Sequence, residues 1–219
     1  MSENNLSDVS FFSNAIDTKT SGIDVVLSYK DIVLGTGELD LNLSGNYTIQ
    51  NERDGAVKNT TLVANAGQSV VNETQEALFF TSRPTTKWIL GADYTINKIS
   101  LSLNNTYFGK TTFQQQDLDN NIFTEFTPKM VTDLAINYSV FKKTTLAFNI
   151  NNLFNVLPEW SFISKNTAGD ALLADAAAAA VKNQSNLITF NQRYSRMTYD
   201  GYHFSQLGTM FNLSLNYKF

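Results

Sequence analysis

Thr209 to Phe219 reads TMFNLSLNYKF. Side chains alternate along an extended chain, so Thr209, Phe211, Leu213, Leu215, Tyr217 and Phe219 share one face. Met210, Asn212, Ser214, Asn216 and Lys218 share the other. One face is oily, the other polar, and the stretch closes on an aromatic residue. That is the pattern of a strand crossing a membrane as one stave of a β-barrel, with lipid on one side and water on the other.

The same template fits most of the chain. Ser21 to Lys30 sets Ile23, Val25, Leu27 and Tyr29 against Asp24, Ser28 and Lys30. After a link holding Gly35 and Gly37, Leu39, Leu41, Leu43, Tyr47 and Ile49 alternate with Asp40, Asn42, Ser44, Asn46 and Thr48. Trp88, Leu90, Ala92, Tyr94 and Ile96 follow, and Asn97-Lys98 is a two-residue turn into Ile99, Leu101, Leu103 and Tyr107. A third hairpin carries Met130, Leu134, Ile136 and Tyr138, then Leu146, Phe148 and Ile150. Strands are expected near 21–32, 38–50, 86–97, 99–110, 129–141, 144–152 and 207–219, with 1–20 an extracellular loop or strand end. The fold class is therefore all-β, an antiparallel transmembrane β-barrel segment of about seven strands.

Short turns fall on one side of these strands and long polar loops, 51–84 and 155–207, on the other. Bacterial outer-membrane barrels keep short turns periplasmic and long loops extracellular, with strands of roughly 9 to 11 residues. Ile23, Val25, Leu27, Leu41, Leu43, Leu90, Leu101, Leu103, Leu134, Ile136, Leu146 and Phe148 are the expected lipid-facing residues. Tyr29, Tyr47, Trp88, Tyr94, Tyr107 and Tyr138 form the expected aromatic girdle, since amphipathic rings sit at the membrane–water boundary.

Composition agrees. A hydrophobic content of 42% and a mean hydropathy of -0.19 suit a barrel, whose apolar residues are spread over alternate positions. The charged content of 16%, net charge of -4 and absence of a basic cluster speak against a nucleic-acid partner. There are no cysteines, which excludes disulfides and thiolate metal sites and suits an envelope protein. No secretory signal is visible in MSENNLSDVS, so an outer-membrane reading implies a natural N-terminus further upstream.

Candidate chemistry is sparse. His203 is the single histidine, which rules out a multi-histidine metal site. It neighbours Asp200 and Ser205, but two-residue spacing provides no relay geometry and no nucleophile elbow is present. No enzyme and no cofactor are expected. Asp40, Asp93 and Asp133, isolated among Asn, Ser and Thr, read as a hydrated lumen wall touching a plug or passing solute, with a cation path as the alternative. Asp170 to Val181 suggests a short helix over the barrel mouth. Trp160, Tyr194, Tyr199 and Tyr202 in the outer loops are candidate ligand contacts, because aromatic faces stack on sugars and planar ligands.

Four stretches carry a family resemblance: TSGIDVVLSYK with GTGELDLNLSGNY, then LNNTYFGK, TDLAINYSVFKKTTLAFNINNLFNVLPEW, and YSRMTYDGYHFSQLGTMFNLSLNYKF. They resemble the C-terminal barrel portion of TonB-dependent outer-membrane receptors of the Bacteroidetes type, with NNLFN at Asn151 to Asn155 and the terminal aromatic strand the most specific. The resemblance implies a barrel of about 22 strands around a plug. It also implies an energy-coupling box that contacts TonB and uptake of a scarce nutrient such as a siderophore, vitamin or oligosaccharide. Leu213, Leu215, Tyr217 and Phe219 would be the signal read by the barrel assembly machinery. Neither plug nor coupling box is recognisable, so the chain is expected to correspond to the last third of such a receptor, in the outer membrane of a Gram-negative bacterium. Its implied partners are outer-membrane lipid, the assembly machinery, the plug and remaining strands, and TonB through the missing part. Two rival readings are a self-contained eight-stranded barrel, with an extra strand from 7–16 or 187–196, and a soluble β-sandwich binding module.

Overall fold

A computed structural model describes residues 14–114, 119–174 and 207–219. Its main feature is a seven-stranded antiparallel sheet in the order β1-β2-β3-β4-β7-β8-β10. The strands are β1 (Asp17–Leu34), β2 (Gly37–Asp54), β3 (Thr86–Ile96), β4 (Ile99–Phe108), β7 (Lys129–Phe141), β8 (Thr144–Asn151) and β10 (Met210–Tyr217). Gly35, at φ 63°, and Asn97, at φ 52°, supply left-handed residues that let the first two hairpins close tightly. Lys142 and Lys143 close the third.

Register aligns the alternation of separate strands. Across the sheet, Tyr29 stands opposite Leu41, Leu41 opposite Ala92, then Leu103, Leu134, Ile150 and Phe211 follow in one row. The next row runs Leu39, Tyr94, Leu101, Ile136, Phe148 and Leu213. All twelve apolar positions expected to face lipid fall on this single face. The opposite face is largely polar, with rows such as Ser28, Asn42, Gly91, Asn104 and Asp133. A one-residue slip anywhere would invert a strand's faces, so the hydrophobic pattern and the pairing support each other.

The apolar face is exposed along much of its area, with Leu27, Leu90, Phe211, Leu213 and Leu215 all open. On it the Trp88 indole lies over Gly45, its direct cross-strand partner, where any Cβ would meet the ring. The Tyr94 ring covers Gly37 in the same manner, and its hydroxyl donates to the Leu34 carbonyl at 3.0 Å. Aromatic rings thus cover the two glycines of β2 and restore the contact a missing side chain would have made.

Several boundaries differ from the sequence reading. β1 begins at Asp17 and β2 extends to Asp54, because Asp17 to Ser21 pair with Asp54 to Gln50 beyond a bulge at Ser21/Gly22. Residues 17–20 are therefore strand rather than loop. Further bulges lie at Tyr29/Ile32 and Ser139/Phe141.

The long loops are not structureless. Residues 51–84 contain α1 (Thr61–Asn65) and α2 (Glu73–Phe80), each with a side-chain N-cap, from Thr60 and Asn72. Two other long connections build a second, three-stranded sheet from β5 (Thr111–Phe113), β6 (Ile122–Phe126) and β9 (Trp160–Ser164), ordered β5-β6-β9. Phe113, Ile122 and Phe126 are fully buried there, with Thr111 and Thr124 between them. α3 (Thr167–Ala174) packs on β9 and starts three residues before the expected helix, whose part beyond Ala174 lies outside the described residues. So do His203, Asp200 and Ser205, the segment 187–196 and residues 7–13.

Candidate functional site

Three regions could carry function: the polar face, the loop-end cavity, and the junction that binds β8 to β10. Each is built from residues whose local partners are visible.

On the polar face the three carboxylates all accept hydrogen bonds, and two of them, Asp40 and Asp93, stand directly opposite each other on β2 and β3. Asp40 accepts the Asp31 backbone N–H at 2.9 Å, where Asp31 sits at φ 58° in the β1 bulge. Asp93 accepts the Ser102 hydroxyl from the neighbouring strand. Asp133 accepts the Asn152 N–H at 2.7 Å. Each carboxylate is thus engaged by a donor from a bulge, a neighbouring strand or a turn. Among the described residues no group of three or more His, Cys, Asp or Glu side chains gathers as a metal site.

Asn152 is the centre of the NNLFN junction. It is buried at φ 55°, a conformation that asparagine tolerates better than most residues. Its side chain grips one residue from both sides, donating to the Val156 carbonyl at 2.7 Å and accepting the Val156 N–H at 2.8 Å. Its carbonyl accepts the Thr209 hydroxyl at 2.7 Å, and Asn155 Oδ1 accepts the Thr209 N–H at 3.2 Å. Leu153 N–H reaches back to the Thr132 carbonyl at 2.7 Å. One five-residue segment therefore ties the ends of β7, β8 and β10 together. Phe154 of this segment stays largely exposed, and the anchoring is done by amide hydrogen bonds.

Replacing Asn152 with alanine should cost about 1 to 3 kcal/mol, since two part-buried backbone groups of Val156 lose their partner. Asn152→Gly removes the backbone strain but not the loss of those bonds. Chemical unfolding of both variants is expected to show a deficit common to the two, and a glycine variant as stable as wild type would place the effect in the backbone alone.

At the loop end a cavity of about 490 Å³ opens between β2, α2, β6 and the β9–α3 link. α2 starts in a capping box, with Asn72 Oδ1 accepting the Gln75 N–H and Gln75 Oε1 accepting the Asn72 N–H, each at 2.9 Å. That first turn presents Glu73 and Glu76, placed where the positive helix end favours carboxylates. Glu76 pairs with Arg53 of β2 at 3.5 Å, and Glu73 pairs with Lys165 at 2.6 Å. The Lys165 ammonium also stands 4.1 Å above the Phe123 ring, while Phe80 lines another wall. Asn51 fixes the helix end by donating to the Phe79 and Phe80 carbonyls at 3.2 and 3.3 Å. The result is a mouth with aromatic walls, two ion pairs and one further carboxylate, Glu52.

Of the four candidate ligand aromatics, Tyr194, Tyr199 and Tyr202 lie outside the described residues. Trp160 stands in β9 with its ring edge-on to Phe162 at 5.4 Å, a packing contact within the loop sheet. The cavity residues Arg53, Glu73, Glu76, Phe80, Phe123 and Lys165 were not singled out in the sequence; the capping pattern Asn72 to Gln75 was the legible signal for α2. The girdle aromatics separate by height. Tyr47, Trp88 and Tyr107 stand toward the loop end and Tyr94 and Tyr138 toward the short turns, with Tyr29 three outer pairs in from its turn.

A family model described as TonB dependent receptor-like, beta-barrel matches residues 2–153. No curated protein and no solved structure matches the chain.

Proposed function

The chain belongs to the TonB-dependent receptor-like β-barrel family, and from that membership we propose that it forms barrel wall and outer loops of a receptor that takes up a scarce nutrient. Proteins of this family are receptors and transporters of the Gram-negative outer membrane rather than enzymes. The observation that carries the reading is the aligned apolar face of the seven-stranded sheet, opposed by a polar face. In this reading Ile23, Leu43, Leu103, Ile136 and their row-mates meet lipid, the polar face lines the lumen around a plug, and the short turns are periplasmic. The loop sheet stands at the external mouth, where its cavity meets incoming solute.

Energy coupling through TonB belongs to the plug-bearing part of the receptor. Leu213, Leu215, Tyr217 and Phe219 would present the assembly signal, and Tyr217 and Phe219 meet edge to face at 5.2 Å. Siderophores, vitamins and oligosaccharides are the ligand classes compatible with a mouth of aromatic walls and paired charges with one further carboxylate, Glu52.

The chain has no cysteine, which makes topology directly testable. With Gln68→Cys in the α1–α2 loop and Thr36→Cys in the β1–β2 turn of the full-length protein, a membrane-impermeant maleimide should label only Gln68→Cys in intact cells. Thr36→Cys should react once the outer membrane is permeabilised. Labelling of Thr36→Cys in intact cells, or recovery of the protein in the soluble fraction, would overturn the reading.

A further inference from the structure

The short-turn end of the main sheet gathers cations that have no ion partner. At the loop end, Arg53, Lys58, Lys110, Lys129 and Lys165 are ion-paired with Glu76, Asp17, Glu125, Glu159 and Glu73, while Lys19, Arg83 and Lys87 make no ion pair among the described residues. At the short-turn end, Lys98, Lys142, Lys143 and Lys218 are exposed, and none of them makes an ion pair among the described residues.

These four lysines form one continuous rim. The Lys98 carbonyl accepts the Ser139 N–H at 2.8 Å, which sets the β3–β4 turn beside the end of β7. Lys142 and Lys143 make the β7–β8 turn, and the Lys143 carbonyl accepts the Lys218 N–H at 2.8 Å. Asp31 and Glu38 belong to the β1–β2 hairpin, the Phe219 carboxylate follows Lys218 in the chain, and none of these three pairs with the four lysines. Next to the rim, on the apolar face, stand Ile99, Tyr138, Phe141 and Tyr217, all exposed, with Phe219 fully so.

A row of ammonium groups directly beside an aromatic and aliphatic shelf matches the cross-section of a bilayer at the headgroup level. The shelf enters hydrocarbon, and the ammoniums meet phosphate one layer further out. We propose that this rim is a binding surface for anionic phospholipid headgroups, holding the periplasmic edge of the wall to the inner leaflet. The inference rests on the membrane orientation proposed above. Lysine suits the role, because a compact charge on a long stem reaches mobile phosphates without requiring fixed bidentate geometry.

The test uses the full-length protein in nanodiscs of equimolar phosphatidylcholine and phosphatidylglycerol, with the lipid retained by the protein after detergent extraction quantified. Wild type is expected to retain phosphatidylglycerol preferentially, and the quadruple variant Lys98→Gln, Lys142→Gln, Lys143→Gln, Lys218→Gln to lose about threefold or more of that preference. Arginine at the same four positions should keep it, and Lys58→Gln at the loop end should leave it unchanged. Salt at about 1 M, where the screening length is about 3 Å, should weaken it in the wild type. Should the glutamine variant fail to assemble, the arginine variant and the salt response decide. A protein that enters both phosphatidylcholine and mixed bilayers without lipid preference overturns the inference alone. A protein that enters neither overturns the membrane reading as well.

Discussion

Leu134→Arg is expected to cost about 2 to 4 kcal/mol of stability in the bilayer and to cut the amount of protein assembled in the outer membrane. Leu134 is the sixth residue of β7, and its cross-strand neighbours on the apolar face are Leu103 and Ile150. Both register partners are aliphatic, so a guanidinium there has no charged partner across the strand and must drag water or headgroups toward the middle of the membrane. The matched control is Asn149→Arg, which by register lies on the opposite, polar face beside Ala135 and Asn212. A charge on the lumen side stays hydrated, and this variant should assemble and unfold nearly as the wild type does. Urea titration in lipid vesicles checks the difference. Equal effects at the two positions would mean that neither face meets lipid.

Phe126→Ala should be costlier still, at about 3 to 5 kcal/mol, but in a different part of the protein. Phe126 is fully buried in the loop sheet with Phe113 and Ile122, and it pairs with Thr111 on one side and Trp160 on the other. Removing a fully buried ring leaves a cavity that the surroundings close only in part, so most of the penalty is retained. Loss of β6 would also release Phe123 and the Lys165 ammonium above it, and with them one wall of the loop-end cavity. The strands of the main sheet are hydrogen-bonded separately from the loop sheet and should still assemble. The expected signature is therefore a protein present in the membrane at near-normal levels, with outer loops cut by added protease and with ligand uptake lost. Proteolytic resistance equal to wild type would show that the loop sheet does not depend on this ring.

The seven strands of the main sheet were legible because a membrane wall demands period-two alternation from every strand, and alternation is a local property that needs no partner. The hairpin turns were legible for a similar reason, since Gly35 and Asn97 mark left-handed positions in short links. The loop sheet was not. Its strands span only three to five residues, too short for periodicity to separate from loop composition, and they gather from segments far apart in the chain. α2 carried a capping pattern, Asn72 to Gln75, as its one local signal, but ETQEALFF follows a polar stretch and is only eight residues long, too short for periodicity to mark it. Asp40, Asp93 and Asp133 looked like free wall carboxylates, since nothing local to them reveals a donor arriving from another residue of a bulge, a neighbouring strand or a turn.

The sequence by itself determined which side chains share a face of each strand, where the short turns fall, and that a chain with no cysteine and one histidine would rely on neither disulfides nor a multi-histidine metal site. Tertiary structure alone decided that the seven apolar faces line up as one surface, that Asn152 binds three strand ends, and that distant loops enclose a cavity. The physical reason is the range of the interactions. Facing is set within a strand by the geometry of one residue to the next, whereas register, junctions and loop cores arise from hydrogen bonds and packing between residues that only folding brings together.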